Sequence, residues 1–100
     1  MAVLLLNTRR RVKGHQLVTI GTMDTVLVHP REVFRVAVVG GAAAIVLMHN
    51  HPSGDPTPSE ADIKVTRDLI LAGQLLKIEM LDHVIIGNGS RSSLRELGYF

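Results

Sequence analysis

The sequence predicts an α/β fold, a three-layer α-β-α sandwich in which helices cover both faces of a mixed β-sheet. Apolar segments typical of strands alternate with segments that have helical periodicity, as in α/β domains. A polar turn over residues 7–11 separates the first two strand-like segments, which favours an antiparallel hairpin. Residues 42–48 are apolar without alternation, as expected of a strand that is covered on both faces.

The N-terminal part predicts two strands followed by a helix. Residues 3–6 form the first strand and residues 12–20 the returning strand, and residues 26–28 lead into the helix. Pro30 suits the first turn of a helix because its missing N–H is not needed there. We expect the helix to end at a pair of glycines after burying a stripe of small apolar residues: Val33, Val36, Ala37 and Val39.

The second half predicts a strand, a long helix, another strand and a short tail. Residues 59–76 are the main helix, with Lys64, Arg67 and Asp68 on its solvent side. Residues 78–86 form the next strand, and residues 90–100 a short strand and helix. Apolar residues at helical spacing predict the buried face of the main helix: Ala61, Val65, Leu69, Ala72 and Leu76.

Composition limits the class of protein. One hundred residues with 46% hydrophobic content suit a single domain with a modest core. The absence of cysteine excludes disulfides and thiolate metal sites. No apolar run approaches the ~20 residues of a membrane span, and no secretory signal pattern is present, so we expect a cytoplasmic protein without membrane association. The net charge of +2 does not by itself indicate nucleic-acid binding.

Two histidines and an aspartate form the most informative pattern. His49 and His51 occupy alternate positions at the end of an apolar run, so their side chains point to the same face of a strand. Asp62 falls in the first turn of the main helix. Two imidazoles and a carboxylate on rigid elements match the three protein ligands of a catalytic zinc site, which leaves a fourth position open.

Each of these residues also has a simpler interpretation. Ser59 and Asp62 have the spacing of a helix capping box, and a histidine at a strand end often only forms hydrogen bonds. The metal interpretation is favoured because all of them lie within residues 46–62, in one strand–loop–helix unit that prolines stiffen. Asp55 in the loop remains an alternative ligand. His83 either orients a ligand or is a packed histidine bonded to backbone.

The motif resembles the JAMM (MPN+) metalloprotease signature H-x-H-P…P-S-x-x-D. It is formed by His49-Asn50-His51-Pro52, Pro58-Ser59 and Asp62. The flanking sequences resemble the RadC family more narrowly, over Val28-His29-Pro30-Arg31-Glu32 and Leu81-Asp82-His83. The resemblance extends over nearly the whole chain. No H-E-x-x-H motif, deaminase zinc motif or glycine-rich phosphate loop is present.

The resemblance implies a JAMM/MPN architecture, similar to that of cytidine deaminases, and a zinc-dependent hydrolase acting on an amide or isopeptide bond of a peptide or protein. It implies that His49, His51 and Asp62 hold Zn²⁺. It further implies that Ser59 is catalytic and stabilises the oxyanion that develops on the attacked carbonyl. The RadC family is also linked to DNA repair by name, on weak grounds.

One part of the JAMM pattern is absent. The glutamate that serves as general acid/base lies just before the first core strand in that pattern, where this chain has Met1 and Ala2. Glu32 is the nearest upstream carboxylate, but the pattern gives it no such role. We expect residues 1–100 to be a single domain cut from a longer protein that carries an N-terminal helical region.

Two alternatives belong to other functional classes. One is a non-catalytic module associated with DNA repair, against which the 3% aromatic content and the lack of a recognition-helix signature argue. The other is a protein-interaction scaffold, against which the intact ligand set argues. Exposed strand edges in so small a sheet also predict a tendency to form a homo-oligomer.

Overall fold

The computed structural model describes residues 1–18 and 29–100. Residues 19–20 of the predicted second strand (12–20) and the whole segment 26–28 lie outside the described residues. The described residues form five strands and two helices: β1 (Ala2–Leu6), β2 (Val12–Leu17), α1 (Pro30–Val39), β3 (Ala44–Asn50), α2 (Glu60–Leu76), β4 (Glu79–Ile86) and β5 (Arg91–Ser93). Neither described helix is long and apolar enough to cross a membrane.

The strands form one mixed sheet in the order β2-β1-β3-β4-β5. β1 pairs antiparallel with both β2 and β3, which confirms the predicted hairpin. β3 and β4 are parallel, with α2 as the crossover between them, and β5 pairs antiparallel with β4. The carboxyl ends of β3 and β4 therefore meet at one edge of the sheet, where the histidine motif begins. The predicted α/β class and mixed sheet are confirmed.

The arrangement of the helices differs from the prediction of helices on both faces. Leu5, which lies under the end of α1, and His83, which contacts α2, point to the same face of the sheet. α1 and α2 also contact each other, and the ring of Phe34 lies against Gly73. Both described helices thus cover one face. The opposite face carries half-buried apolar side chains: Leu4, Val46, Met48 and Val84.

The predicted stripes of the helices are confirmed in part, since Val33, Ala37 and Leu69 are buried and three further members pack against the core: Val36, Val65 and Ala72. In α1, Phe34 is buried whereas Val39 is 83% exposed, because Phe34 points toward α2. In α2 the predicted Ala61 and Leu76 are exposed. The residues that α2 buries are Asp62, Thr66, Leu69 and Gly73. Two of these are polar, since this face of α2 meets the end of the sheet that carries the histidines.

One additional residue in β4 changes the alignment of the two parallel strands. Ile45 pairs with Met80 but Val46 pairs with Asp82, so Leu81 is a β-bulge. Such a bulge re-aims the side chains that follow it. As a result His83 pairs with Leu47 and, like Leu47, points toward the helices.

The C-terminal segment holds this bulge in place. The Arg95 guanidinium donates a hydrogen bond from Nε to the carbonyl of Leu81. The Asp82 carboxylate accepts hydrogen bonds from the backbone N–H groups of His83 and Arg95. The tail was predicted to contain a helix, but after β5 it forms hydrogen-bonded turns with Leu94 buried. A helix would not continue through Gly98, whose φ is +90°.

Among the described strands, β2 and β5 are the outermost in the sheet, and most side chains of β2 are exposed. An open edge presents unpaired backbone groups to other chains. Self-association through this edge stays a prediction.

Candidate metal centre

The histidine motif begins where β3 ends. β3 extends to Asn50, so His49 belongs to the strand and His51 follows it directly. The backbone N–H of His51 donates to the carbonyl of Ile86 at 3.1 Å, which continues the alignment with β4 by one residue. Both imidazoles therefore lie at the carboxyl edge of the parallel pair, with ring centroids 5.0 Å apart.

Asp62 completes the cluster from the first turn of α2. One ligand atom from each of His49, His51 and Asp62 lies within 4.8 Å of the others. Nε2 of His49 is 3.2 Å from Oδ1 of Asp62, and Nε2 of His51 is 3.0 Å from Oδ2. The side chains of His49 and Asp62 are 5% and 7% exposed, and that of His51 is 20% exposed. The three predicted ligands are thus brought together, with His51 on the solvent side.

The hydrogen bonds around the cluster fit a cation better than an empty space. Nδ1 of His51 lies 2.9 Å from the carbonyl of Asp55, which can only accept, so Nδ1 carries the hydrogen. Nε2 of His51 lies within hydrogen-bond distance of Oδ2 of Asp62. Nε2 of His49 is buried and makes no hydrogen bond, although Oδ1 of Asp62 lies 3.2 Å away. A metal ion between the three side chains would use these two nitrogens as ligand atoms.

The charge and position of Asp62 are set by the start of α2. Ser59 is the N-cap, and its Oγ accepts from the backbone N–H of Asp62 at 3.1 Å. Oδ2 of Asp62 accepts from the backbone N–H of Ser59 at 2.8 Å, which completes the capping box. Burial raises the pKa of Asp62, but the contact with His49 and the hydrogen bonds from Ser59 outweigh it and hold the pKa well below its usual range. Asp62 is therefore ionised and oriented.

The capping role of Ser59 leaves part of its hydroxyl group free for other contacts. The capping bond uses a lone pair of Oγ and does not consume the hydroxyl hydrogen. Ser59 is also exposed, beside a carboxylate that contacts both histidines. Capping and donation to a bound group are therefore compatible uses of one hydroxyl group.

Asp55 contributes its backbone and not its carboxylate. Oδ1 of Asp55 accepts from the N–H and the hydroxyl of Thr57 at 3.0 and 2.7 Å. These hydrogen bonds lower the pKa of Asp55. Its carboxylate is outside the cluster that could hold a metal, so the alternative ligand is not favoured.

The loop that presents the Asp55 carbonyl rests on the turn after β4. The N–H of Asn88 donates to the carbonyl of Gly54 at 2.7 Å. A Cβ atom at Gly87 would collide with that carbonyl and with the ring of Pro56. The close contact between loop and turn thus requires glycine at position 87.

His83 supports His49 from the neighbouring strand. Its Nε2 lies 2.9 Å from Nδ1 of His49, and its Nδ1 lies 2.7 Å from Oγ1 of Thr66. Burial, followed by the proximity of His49, lowers the pKa of His83 to about 4, so the ring is neutral at pH 7. His83 thus contacts His49, the predicted ligand, and is bonded through its ring to side chains. Sequence analysis missed Thr66, although its position one helical turn after Asp62 is a signal that indicates the same face.

Glu32 is not part of the cluster. It lies in the first turn of α1, exposed, with its carboxylate 3.8 Å from Nε of Arg31. Within residues 1–18 and 29–100, the group that could hold a metal contains no glutamate.

The sequence matches a protein family and several curated proteins. A family profile described as RadC-like JAB domain matches residues 1–99. A UPF0758 protein of Caldanaerobacter subterraneus subsp. tengcongensis is 50% identical over 98% of this chain and 42% of its own length. UPF0758 proteins of Moorella thermoacetica and Bacillus cereus are 56% and 52% identical over 91% and 96% of this chain, which is 40% and 43% of theirs. The chain spans about two fifths of the length of the curated relatives it matches.

Proposed function

The chain belongs to the family of RadC-like JAB domains, and from that premise we propose that it is a zinc-binding hydrolase domain of the JAMM type, acting on an amide or isopeptide bond. The observation that carries the proposal is the buried Nε2 of His49, which has no hydrogen-bond partner and lies 3.2 Å from an ionised carboxylate. A bound cation would give this nitrogen a partner for its lone pair. Peptides or proteins are the proposed substrates.

Zinc is the metal that this donor set favours. Two imidazole nitrogens and one carboxylate oxygen suit Zn²⁺, whereas Mg²⁺ and Ca²⁺ prefer oxygen ligands throughout. When bound, zinc would polarise a substrate carbonyl and lower the pKa of a coordinated water toward ~7. His51 is the most exposed of the three side chains, so substrate would approach from its side.

In this proposal, Ser59 stabilises charge on the substrate. Its hydroxyl hydrogen is not used in the capping bond, and Ser59 is exposed next to Asp62. A donor at the site of a developing oxyanion acts only in the transition state, which is where binding energy accelerates a reaction. Because the capping box fixes the backbone of Ser59, the hydroxyl is held near the cluster without further ordering of the chain.

Hydrolysis also needs a group that protonates the leaving amine. General acid/base catalysis contributes typically ~10²–10⁴ in rate. Asp62 is held as an ionised carboxylate between the two histidines, and Glu32 pairs with Arg31. Within residues 1–18 and 29–100 the metal-binding cluster contains no carboxylate besides Asp62. We propose that a carboxylate outside the described cluster is the general acid/base, so that the cluster as described binds zinc but cleaves peptides slowly.

The first experiment measures the metal. Elemental analysis of the chain purified without chelators should find about one zinc per chain, and His51→Ala should have much less. A wild-type chain that is free of zinc and does not take it up on titration would overturn the proposal.

The second experiment tests the acid/base. The chain and a version extended upstream, with an acidic residue just before β1, are assayed on one library of peptides and isopeptides at equal zinc content. The extended version should be the faster of the two. If the short chain turns over substrate as fast as the extended version, and Glu32→Gln abolishes this activity, then Glu32 is the general acid/base.

A further inference from the structure

A series of buried hydrogen bonds leads from Thr66 in α2 through His83 to Nδ1 of His49, the ring nitrogen opposite the one that faces Asp62. Oγ1 of Thr66 lies 2.7 Å from Nδ1 of His83, and Nε2 of His83 lies 2.9 Å from Nδ1 of His49. Thr66 and His83 are fully buried and His49 is 7% exposed. The other nitrogen of His49 is the one that faces Asp62 without a hydrogen bond. The three side chains therefore connect in series and end at the proposed zinc ligand.

The direction of these hydrogen bonds decides whether His49 can bind a metal. A neutral imidazole has one donor and one acceptor nitrogen, so the series runs in one of two directions. If Thr66 donates to His83, then His83 donates to His49, and the hydrogen of His49 is on Nε2, where the metal would bind. If His49 donates from Nδ1 to His83, then His83 donates to Thr66, and Nε2 of His49 keeps a free lone pair.

Metal binding requires the second direction, because Nε2 of His49 must offer its lone pair to the metal. With a hydrogen on Nε2, that N–H would point at the carboxylate of Asp62, whose Oδ1 lies 3.2 Å away. In the second direction His83 accepts from Nδ1 of His49 and donates from its own Nδ1 to Oγ1 of Thr66, which closes the series.

We propose that Thr66 and His83 are positioning residues that keep the hydrogen of His49 on Nδ1 and so leave Nε2 free to bind the metal. The proposal rests on the metal site of the proposed function. In this series neither side chain hydrogen-bonds to the side chains of Asp62 or His51, so each reaches the metal-binding cluster through His49. Metal-binding histidines commonly use the second nitrogen in this way, with a carboxylate or carbonyl as the usual partner.

The bulge in β4 is what makes His83 available for this role. His83 aligns with Leu47 and points toward α2 because Leu81 is the additional residue. The rings of His49 and His83 lie 5.0 Å apart at an angle of 45°, and both are buried. The contact is therefore a fixed part of the fold and does not depend on a mobile side chain.

The test compares three variants of the 100-residue chain. Thr66→Val removes the hydroxyl at nearly constant volume, Thr66→Ser keeps it, and His83→Leu removes the ring nitrogens. The zinc dissociation constant is measured by competition with a chromophoric chelator. Thr66→Val and His83→Leu should weaken zinc binding roughly 10- to 100-fold, the range typical of partners behind a ligand. Thr66→Ser should bind zinc nearly as wild type does.

A second readout reports on the hydrogen itself. Nitrogen-15 NMR of the metal-free chain at neutral pH distinguishes the two forms of a neutral imidazole. Wild type and Thr66→Ser should show the hydrogen of His49 on Nδ1, whereas Thr66→Val should show a mixture. A role limited to packing would leave this signature unchanged.

The outcomes separate this proposal from the proposed function. If Thr66→Val changes neither the zinc affinity nor the position of the hydrogen on His49, the positioning role is overturned, whereas the metal site is not affected. A wild-type chain that binds no zinc would overturn the metal site, and the NMR spectrum of wild type still decides the positioning role. If that spectrum shows the hydrogen of His49 on Nε2, the positioning role is refuted. If His83→Leu does not fold, the Thr66→Val and Thr66→Ser pair gives the answer.

Discussion

His49 and His51 are separated by one residue in the sequence, yet different parts of the molecule hold their rings. His49 is almost fully buried and is held by side chains of β4 and α2, through His83 and Thr66. His51 is 20% exposed and is held by a backbone carbonyl of the loop between β3 and α2. Asp62 is the contact that the two halves share.

The difference shows that one site can be assembled from two kinds of support. The His49 side depends on the hydrophobic core and on long-range strand pairing, so it is as rigid as the sheet. The His51 side depends on a loop that prolines and a glycine contact hold in place. We expect core substitutions to affect the first histidine and loop substitutions to affect the second, while changes at Asp62 affect both.

The largest effect is expected from Asp62→Asn. Removing the shared charge should weaken zinc binding by more than the ~10- to 100-fold expected for residues behind a ligand. The fold should lose about 1 kcal/mol or less, because asparagine is tolerated near a helix start. Zinc stoichiometry and thermal unfolding of the metal-free chain measure the two quantities. Unfolding of the variant at a temperature at which metal-free wild type stays folded would mean that Asp62 serves mainly as a cap.

The buried side should respond to acid. The pKa of His83 is about 4 in the folded chain, against 6.5 for an ordinary histidine. Between these values the unfolded chain binds a proton that the folded chain does not, so the free energy of unfolding falls as the pH drops from 6.5 to 4. The loss is on the order of 3 kcal/mol. The lowered pKa of Asp62 adds a further loss only at more acidic pH, as the carboxylate becomes protonated.

Denaturant unfolding of the metal-free chain between about pH 7 and pH 4 measures this dependence. His83→Gln is the control, because it keeps a polar side chain that does not titrate. Its stability should change less with pH than that of wild type. Parallel curves for the two proteins would show that His83 is not the group that responds.

The loop side should respond to Gly87→Ala. The new methyl group would collide with the Gly54 carbonyl and lie 2.7 Å from Cδ of Pro56, so the loop must shift. We expect a loss of about 1–3 kcal/mol in stability and weaker zinc binding. Gly14→Ala is the matched control, since nothing lies within 4 Å of a Cβ atom at Gly14. The NMR signature of His49 should stay unchanged in both variants. A change of that signature in Gly87→Ala would mean that the two sides are not independent.

The smallest effect is expected from Asp55→Ala. The carbonyl that holds His51 belongs to the backbone and survives the substitution, and the lost carboxylate contacts only Thr57 among the hydrogen bonds of this loop. Zinc affinity should therefore stay close to that of wild type, with stability within about 0.5 kcal/mol. A large loss of zinc would identify the Asp55 carboxylate as a ligand after all.

The parts of the molecule that were predicted from sequence are those that local patterns determine. Pro30 at the start of α1 and Ser59 at the start of α2 are local signals, and both helices begin where they indicate. The same is true of the unit from His49 to Asp62, because two strand positions and the first turn of a helix fix the directions of its side chains.

The remaining features depend on contacts between distant segments. Phe34 is buried where α1 meets Gly73 of α2, and Asp62 and Thr66 are buried because they face the polar cluster at the end of β3. His83 reaches His49 across 34 positions of sequence, and only the bulge at Leu81 gives it the right direction. No periodicity in β4 indicates an extra residue. This is why sequence analysis left the role of His83 open.

The bulge at Leu81 also determines which kinds of mutation the domain tolerates. Side chains alternate along a strand, so a shift by one residue exchanges its two faces. Without the bulge, the same sequence would place Asp82 opposite Leu47 and turn His83 away from α2. Deletion of Leu81 itself would keep His83 opposite Leu47 and remove only the bulge, and replacement of Leu81 would change only one half-buried side chain. Descendants of this sequence should therefore vary in identity at this position and tolerate its loss more readily than the insertion of another residue beside it.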